Sequence, residues 1–264
     1  HTRELFPTRG LKPIGAVRPL ASAPLNLDDL QVGTAAAPMT WPQMLAATNT
    51  DAVLVLHHER IVDERYFNGM KPGTAHLMFS ATKSMVGLMS ATLIAEPKLA
   101  DSAWAGATVR QVLDMTDGVR FNENYTDPKS DIFAYVGAMG WAPQYNNPTN
   151  PSGILNMLPT LKSLHDEPRG TAFRYRSPAT DVTAWIAART ANQSVSAWLQ
   201  QRLWSQLGME SDGSFMLDPL GTEVSFAGMS ASLRDLGRIG QMLLQHGRVG
   251  DQQIIPASVV DALI

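Results

Sequence analysis

Cysteine is missing from the 264-residue chain, which removes disulfides, thiolate metal sites and a cysteine nucleophile together. It leaves the compartment open, with the cytoplasm favoured over the periplasm. No apolar run reaches the roughly 18 residues needed to cross a bilayer. The net charge is −3 and basic residues form no block, so neither nucleic acid nor an anionic membrane is expected as a partner. H-E-x-x-H does not occur. His57-His58-Glu59 reads as a strand end beside a turn, and no metal or other cofactor is expected. No internal repeat is visible.

What is present is a chain at the upper end of one domain, or two modest ones, with 44% hydrophobic residues and so ample material for a core. It begins at His1, so either a leader has been removed or the natural start is not represented; no charged-then-apolar signal segment is visible. Residues 1 to 39 are rich in Pro, Gly and Ala and read as an irregular arm laid over a core made elsewhere. Thr40 caps a short helix through about Ala47, with Pro42 tolerated in its first turn. Ala52 to Leu56 and Ile61 to Phe67, split by a loop at 57 to 60, read as a β-hairpin. Thr108-Val109-Arg110-Gln111 is a capping box opening a helix that Gly118 ends. Residues 119 to 150 are long, polar and aromatic, either a pocket wall or a flap. Further helices are expected over 151–165, 178–191, 195–207 and 231–246.

The stretch with chemistry in it is Met78-Phe79-Ser80-Ala81-Thr82-Lys83-Ser84-Met85-Val86-Gly87. Ser80 and Lys83 stand three apart, on one face of a helix. A serine hydroxyl is a weak nucleophile until a base takes its proton, and an enclosed lysine one turn away is such a base. This is the S-x-x-K arrangement of penicillin-recognising serine enzymes. Ser80 is the only serine in the chain followed by lysine at that spacing. The flanking residues are apolar on nearly every side, which indicates a buried helix and leaves little room for an exposed lysine. The plain alternative is a serine cap with a solvated lysine.

A serine and a lysine need a further proton carrier for the leaving group. S-x-x-K enzymes often draw it from Tyr-x-Asn or Tyr-x-Ser. Three stretches qualify: Tyr66-Phe67-Asn68, Tyr145-Asn146-Asn147 and Tyr175-Arg176-Ser177. The third is distinguished by its setting, because Ser177 as cap and Pro178 in the first turn open a helix and leave Tyr175 fixed just upstream. The alternative is a tyrosine at a loop edge making ordinary contacts.

Taken together, the sequence resembles the serine β-lactamase-like superfamily in its class C and esterase branch, and within it the 6-aminohexanoate-dimer (nylon-oligomer) hydrolase group. The resemblance is carried by residues 1–8, 79–87, 109–115, 121–128, 173–185 and 229–236, in family order across nearly the whole chain. It implies that Ser80 is the acylated nucleophile, Lys83 its activating partner and Tyr175 the general acid/base. It makes Ser177 a polar support beside the substrate and Tyr125 a substrate-contacting tyrosine on a mobile loop. The implied fold is α/β (α+β), β-lactamase/transpeptidase-like: an antiparallel sheet flanked by helices from residues 1–78 with 248–264, and a mostly helical region over 79–247.

The departures concern the C-terminal third motif, for which no Lys-Thr-Gly or His-x-Gly equivalent is found, and the strands that would complete the sheet and supply a second oxyanion-hole amide. The connection at Ala95 to Leu99 and the approach to Met229, with Gly228 alone, also look short. Residues are therefore expected to be omitted from the sequence, the alternative being a truncated, inactive relative. The expected function is hydrolysis of small carboxylic esters, and of short linear amides, through an acyl-enzyme. The alternatives are a β-lactamase or D-alanyl carboxypeptidase, and a non-catalytic binding protein of the same fold. The expected partners are a small-molecule ester or amide substrate and, at most, a second copy in a homodimer.

Overall fold

The computed structural model describes residues 2–34, 36–93, 103–142, 145, 149–164 and 167–263. Its central antiparallel sheet runs in the order Thr8–Leu11, Gly213–Met216, Met229–Ala231, His76–Leu77. Every residue of the two inner strands is buried, so they carry no polar and apolar alternation by which a strand is read. Both lie in the stretch expected to be mostly helical. The outer pairing matters most for function: Ser230 faces Leu77, and the Met78 amide donates to the Met229 carbonyl at 2.8 Å, which fixes the chain two residues before Ser80.

Residues 1 to 39 are not an irregular arm. They supply Thr8–Leu11 to the central sheet, lay Ala21–Ser22 parallel to Arg60–Tyr66, and form a hairpin of Gln31–Thr34 with Ala37–Thr40. Proline and glycine punctuate this stretch so often that no strand is long enough to show a period. Leu11 is nonetheless fully buried. The expected hairpin is present as Ala52–His57 and Arg60–Tyr66. Its loop is the two residues His58 and Glu59, both at positive φ (47° and 64°), the conformation that matches strand twist. Neither is the Asn or Gly that normally announces such a turn.

Helix Val109–Leu113 carries the capping box expected from Thr108, though it stops well before Gly118, and helix Trp41–Ala47 starts at the expected cap Thr40, which Gln43 completes into a second box. The helix expected over 151–165 is broken into Ile154–Met157, a tight turn Leu158–Thr160 and a strand Lys162–Ser163, since Pro159 cannot donate within a continuing helix. That strand pairs with Val119–Arg120. The irregular stretch 119 to 150 contains a helix, Asp131–Ala138, which buries Ile132, Tyr135 and Ala138. Helix Val195–Leu199 continues as a π-turn to Trp204 before Gly208 at φ 61°. Helix Leu233–Leu244 packs on the Ala52–His57 strand. Beyond its end the chain turns at His246 and Gly247, both at positive φ, and a Cβ on Gly247 would lie 2.1 Å from the Ile255 carbonyl oxygen.

Two buried clusters result. One joins Met85, Val86 and Met89 of the helix after Ser80 to Trp198, Trp204 and Phe215; the other joins Trp104, Ile132, Tyr135 and Phe226. The helix Ser177–Ala191 contributes Ala184 and Ala187 to the first and Ala179 and Val182 to the second. It therefore ties both clusters to the site at its N-terminal end. The expected segment Ala95 to Leu99 lies outside the described residues.

Candidate active site

Ser80 sits at the N-cap of helix Ala81–Ser90. The buried face of that helix is Thr82, Met85, Val86, Leu88, Met89 and Ser90, so the apolar run anchors the element and leaves Ser80 and Lys83 on the opposite side. Phe79, just before Ser80, is held at φ 44°. That conformation is costly for a bulky residue and is kept by the sheet pairing of Leu77 on one side and the Ala81 amide bonding to Met78 on the other. The backbone amide of Ser80 finds no acceptor among the described residues.

The sequence-selected trio meets at one atom. Tyr175 Oη donates to Ser80 Oγ at 2.8 Å, and Lys83 Nζ lies 3.2 Å from the same oxygen. Lys83 Nζ also donates to the Phe226 carbonyl at 2.9 Å and stands 4.9 Å and 5.0 Å from the ring centroids of Tyr175 and Phe226. Two aromatic faces, a carbonyl and a hydroxyl thus define where the amine can be. The competing tyrosines go elsewhere. Tyr66 donates to Glu64 at 2.6 Å, and the Tyr145 ring packs tilted against Phe133, centroids 4.6 Å apart.

Tyr175 is aimed by its neighbours. The Arg174 amide bonds to the Met115 carbonyl at 3.0 Å, and Arg176 is extended (φ −143°, ψ 112°). Adjacent side chains on extended backbone point to opposite sides, so Arg176 enters the core while Tyr175 faces Ser80. There Arg176 is 1% exposed and pairs at 2.8 Å with Asp117, itself fully buried. Asp117 also accepts from Trp104 Nε1 (2.7 Å) and the Val119 amide (3.2 Å). Burial pushes the Asp117 carboxyl up and the Arg176 guanidinium down, each offset by the other's charge.

Ser177 does not cap the helix as the sequence led one to expect. It is the first helical residue and is fully buried, and its amide and hydroxyl both bond to Glu123, at 2.7 Å and 2.6 Å. The Glu123 carboxylate, brought from another segment, takes over the capping of the orphan amide. The same carboxylate accepts from Tyr125 Oη at 2.5 Å. Tyr125 exposes most of its ring (59%), yet partial burial of the hydroxyl and the Glu123 charge hold its phenol well above the ordinary range. Glu123 therefore binds the Tyr125 loop to the start of the helix that follows Tyr175. Glu123, Phe226, Asp117 and Arg176 were not singled out from sequence. Phe226 acts through a carbonyl, which no residue type signals.

A cavity of about 660 Å³ opens beside Ser80 and Tyr175, lined by Lys83, Leu88, Met115 and Phe173 and reaching Arg110. It is largely apolar with a few polar groups, Ser80, Lys83 and Tyr175 among its lining, as small-molecule sites are. Among the described residues no group of three or more His, Asp or Glu is placed to hold a metal ion, and no helix is long and apolar enough to cross a membrane.

A serine, a lysine one turn on and a tyrosine converging on one oxygen, at the start of a buried helix beside an antiparallel sheet, define a class. The chain belongs to the beta-lactamase family, whose family model matches residues 42–259. Within it, the chain is 32% identical over 235 residues to the 6-aminohexanoate-dimer hydrolase of Paenarthrobacter ureafaciens, covering 84% of this chain and 59% of that protein. It thus spans less than two thirds of that curated relative's length. A solved structure from Bacillus anthracis, provisionally described as a 6-aminohexanoate-dimer hydrolase, superposes with a TM-score of 0.90 at 29% identity, covering 100% of this chain and 72% of that one. A Bacteroides dorei DSM 17855 structure, provisionally described as a beta-lactamase, shares the fold alone: TM-score 0.60 at 18% identity, over 83% of this chain and 67% of that one.

Proposed function

We propose that the protein is a serine hydrolase that cleaves small carboxylic esters and short linear amides of the 6-aminohexanoate-oligomer kind through an acyl-enzyme on Ser80. The observation that carries this reading is the approach of Tyr175 Oη and Lys83 Nζ to Ser80 Oγ, at 2.8 Å and 3.2 Å. Ser80 has one hydroxyl proton; Tyr175 donates its own to Oγ, so the Lys83 amine is the neighbour placed to take it, directly or by relay through Tyr175. As Oγ attacks the substrate carbonyl carbon, that proton passes into the Lys83 and Tyr175 pair, and the carbonyl oxygen becomes an oxyanion. The unengaged Ser80 amide is the donor this chain offers to that charge. When the tetrahedral intermediate collapses, Tyr175 returns a proton to the departing alcohol or amine. A water, deprotonated by the same pair, then attacks the acyl carbonyl and Ser80 leaves as its hydroxyl.

Tyr125 is assigned to the substrate because it is 59% exposed and its hydroxyl shares the Glu123 carboxylate with Ser177, two residues after Tyr175. Ser177, buried on Glu123, is assigned to supporting the Tyr175 helix. The linear-amide preference draws on the 32% identity to the Paenarthrobacter ureafaciens hydrolase, and the ester preference on the open, largely apolar cavity. The test is steady-state turnover of p-nitrophenyl butyrate, the linear 6-aminohexanoate dimer and a chromogenic β-lactam by wild type and Ser80→Ala. Turnover of the ester, with or without the dimer, that vanishes in Ser80→Ala supports the reading. Turnover of the β-lactam alone, or of none, overturns it.

A further inference from the structure

Asp181 is a carboxylate that the proposed chemistry does not use. It lies one turn beyond Ser177 on the helix that follows Tyr175, 3% exposed, in the apolar cluster that holds Tyr135 and Phe226. Two donors converge on it: Tyr135 Oη at 2.7 Å and the Ser225 amide at 2.9 Å. Tyr135 is itself fully buried, and its ring packs 5.9 Å from that of Phe226, which also meets Trp141 at 5.6 Å. Phe226, the residue after the amide so held, presents the carbonyl that accepts from Lys83 Nζ at 2.9 Å.

We propose that Asp181 is a positioning residue of the active site: by holding the Ser225 amide it fixes the backbone leading into Phe226 and so aims the Phe226 carbonyl, and with it the amine of Lys83, at Ser80. This rests on the assignment of Lys83 to the activation of Ser80. A carboxylate is an expensive way to fill an apolar core, and an apolar residue of equal size would pack there at less cost. What only an acceptor at this position supplies is a fixed orientation for residues 225 and 226. Burial pushes the Asp181 carboxyl up to about 7 even with the Tyr135 hydroxyl and the Ser225 amide opposing it. The path is short and physically continuous: Asp181 carboxylate, Ser225 amide, Phe226 carbonyl, Lys83 amine, nucleophile.

The test separates orientation from mere structure. Acylation by a p-nitrophenyl ester is followed against ester concentration in wild type, Asp181→Ala, Asp181→Asn and Tyr135→Phe, all as the full chain. Displacement of a catalytic group by about an ångström costs up to about a hundredfold in rate. Asp181→Ala is accordingly expected to lower the maximal acylation rate by about tenfold to a hundredfold with half-saturation unchanged. Asp181→Asn, which keeps an oxygen for the Ser225 amide, is expected to recover most of the rate. A folded Asp181→Ala acylating at the wild-type rate, or Asp181→Asn failing as badly as Asp181→Ala, overturns the proposal. If Asp181→Ala does not fold, Tyr135→Phe decides: a reduced maximal rate at unchanged half-saturation supports the proposal, and the wild-type rate overturns it. Crystal structures of the folded variants read the positioning directly. Loss of the Lys83 Nζ to Phe226 carbonyl hydrogen bond in Asp181→Ala is expected, and its retention at 2.9 Å would count against the proposal. A wild type that is not acylated defeats the serine hydrolase reading, whereas the position of Lys83 in Asp181→Ala still decides the role of Asp181.

Discussion

Replacing Asp117 by Asn tests whether the site is aimed from the core. The carboxylate accepts from Arg176 Nη1, Trp104 Nε1 and the Val119 amide, at 2.8, 2.7 and 3.2 Å. An asparagine offers one oxygen and turns an amide donor toward at least one of these donors. Arg176 then keeps its charge at 1% exposure, with Glu167 at 4.0 Å as the remaining acid. Breaking a buried pair from one side costs about 3–5 kcal/mol, because the surviving charge is left uncompensated. Total stability for a domain is only about 5–15 kcal/mol, so the loss is a large share of it. Urea unfolding followed by tryptophan fluorescence measures this, with the slope checked so that a midpoint shift reports stability. The double variant Asp117→Leu/Arg176→Met removes both charges and is expected to recover most of the loss. A single variant that loses less than about 1 kcal/mol, the range of an exposed pair, would refute the reasoning, as would a double variant no better than the single.

Two further predictions concern proton transfer and pH. Tyr175→Phe removes the hydroxyl 2.8 Å from Ser80 and should lower ester turnover by about a hundredfold to ten-thousandfold, the usual worth of a positioned acid/base, with unfolding midpoint unchanged; wild-type turnover would remove Tyr175 from the mechanism. For Asp181 the folded carboxyl is raised from 3.8 to about 7, so the folded state binds a proton more tightly than the unfolded one. Its contribution to stability is complete below about pH 4 and is lost as pH rises through about 7. Asp181→Asn, which cannot ionise, should therefore gain stability relative to wild type as pH rises from 4 to 8, on the order of a few kcal/mol in all. A difference that does not change with pH, measured by denaturation across that range, would contradict it.

The candidate site was more legible in the sequence than the sheet that holds it. Ser80, Lys83 and Tyr175 are side chains whose types carry chemistry, and two of them share a helical spacing. Tyr175 could be preferred over Tyr66 and Tyr145 because a proline and a serine mark a helix start beside it. The sheet was harder to see. Gly213–Met216 and Met229–Ala231 are buried on both faces, so their residues follow no alternation, and each is too short to be told from a loop by pattern. Thr8–Leu11 pairs with a strand about two hundred residues away, a partnership local sequence does not encode. Helical segments fared according to their punctuation. The cap at Thr40 and the capping box at Thr108 gave correct starts, while Pro159 broke a helix that composition alone had drawn through it. Ser177 shows the limit of local reasoning: its residue type fits a cap, but Glu123 arrives from 54 positions away to do that work.

The most direct test of the central claim is covalent. Wild type and Ser80→Ala are incubated with a fluorophosphonate, and intact mass is measured before and after, with the adduct located by peptide mapping. The account predicts one adduct per chain on wild type, located at Ser80, and none on Ser80→Ala. An adduct elsewhere, an adduct that persists in Ser80→Ala, or none on folded wild type would contradict it.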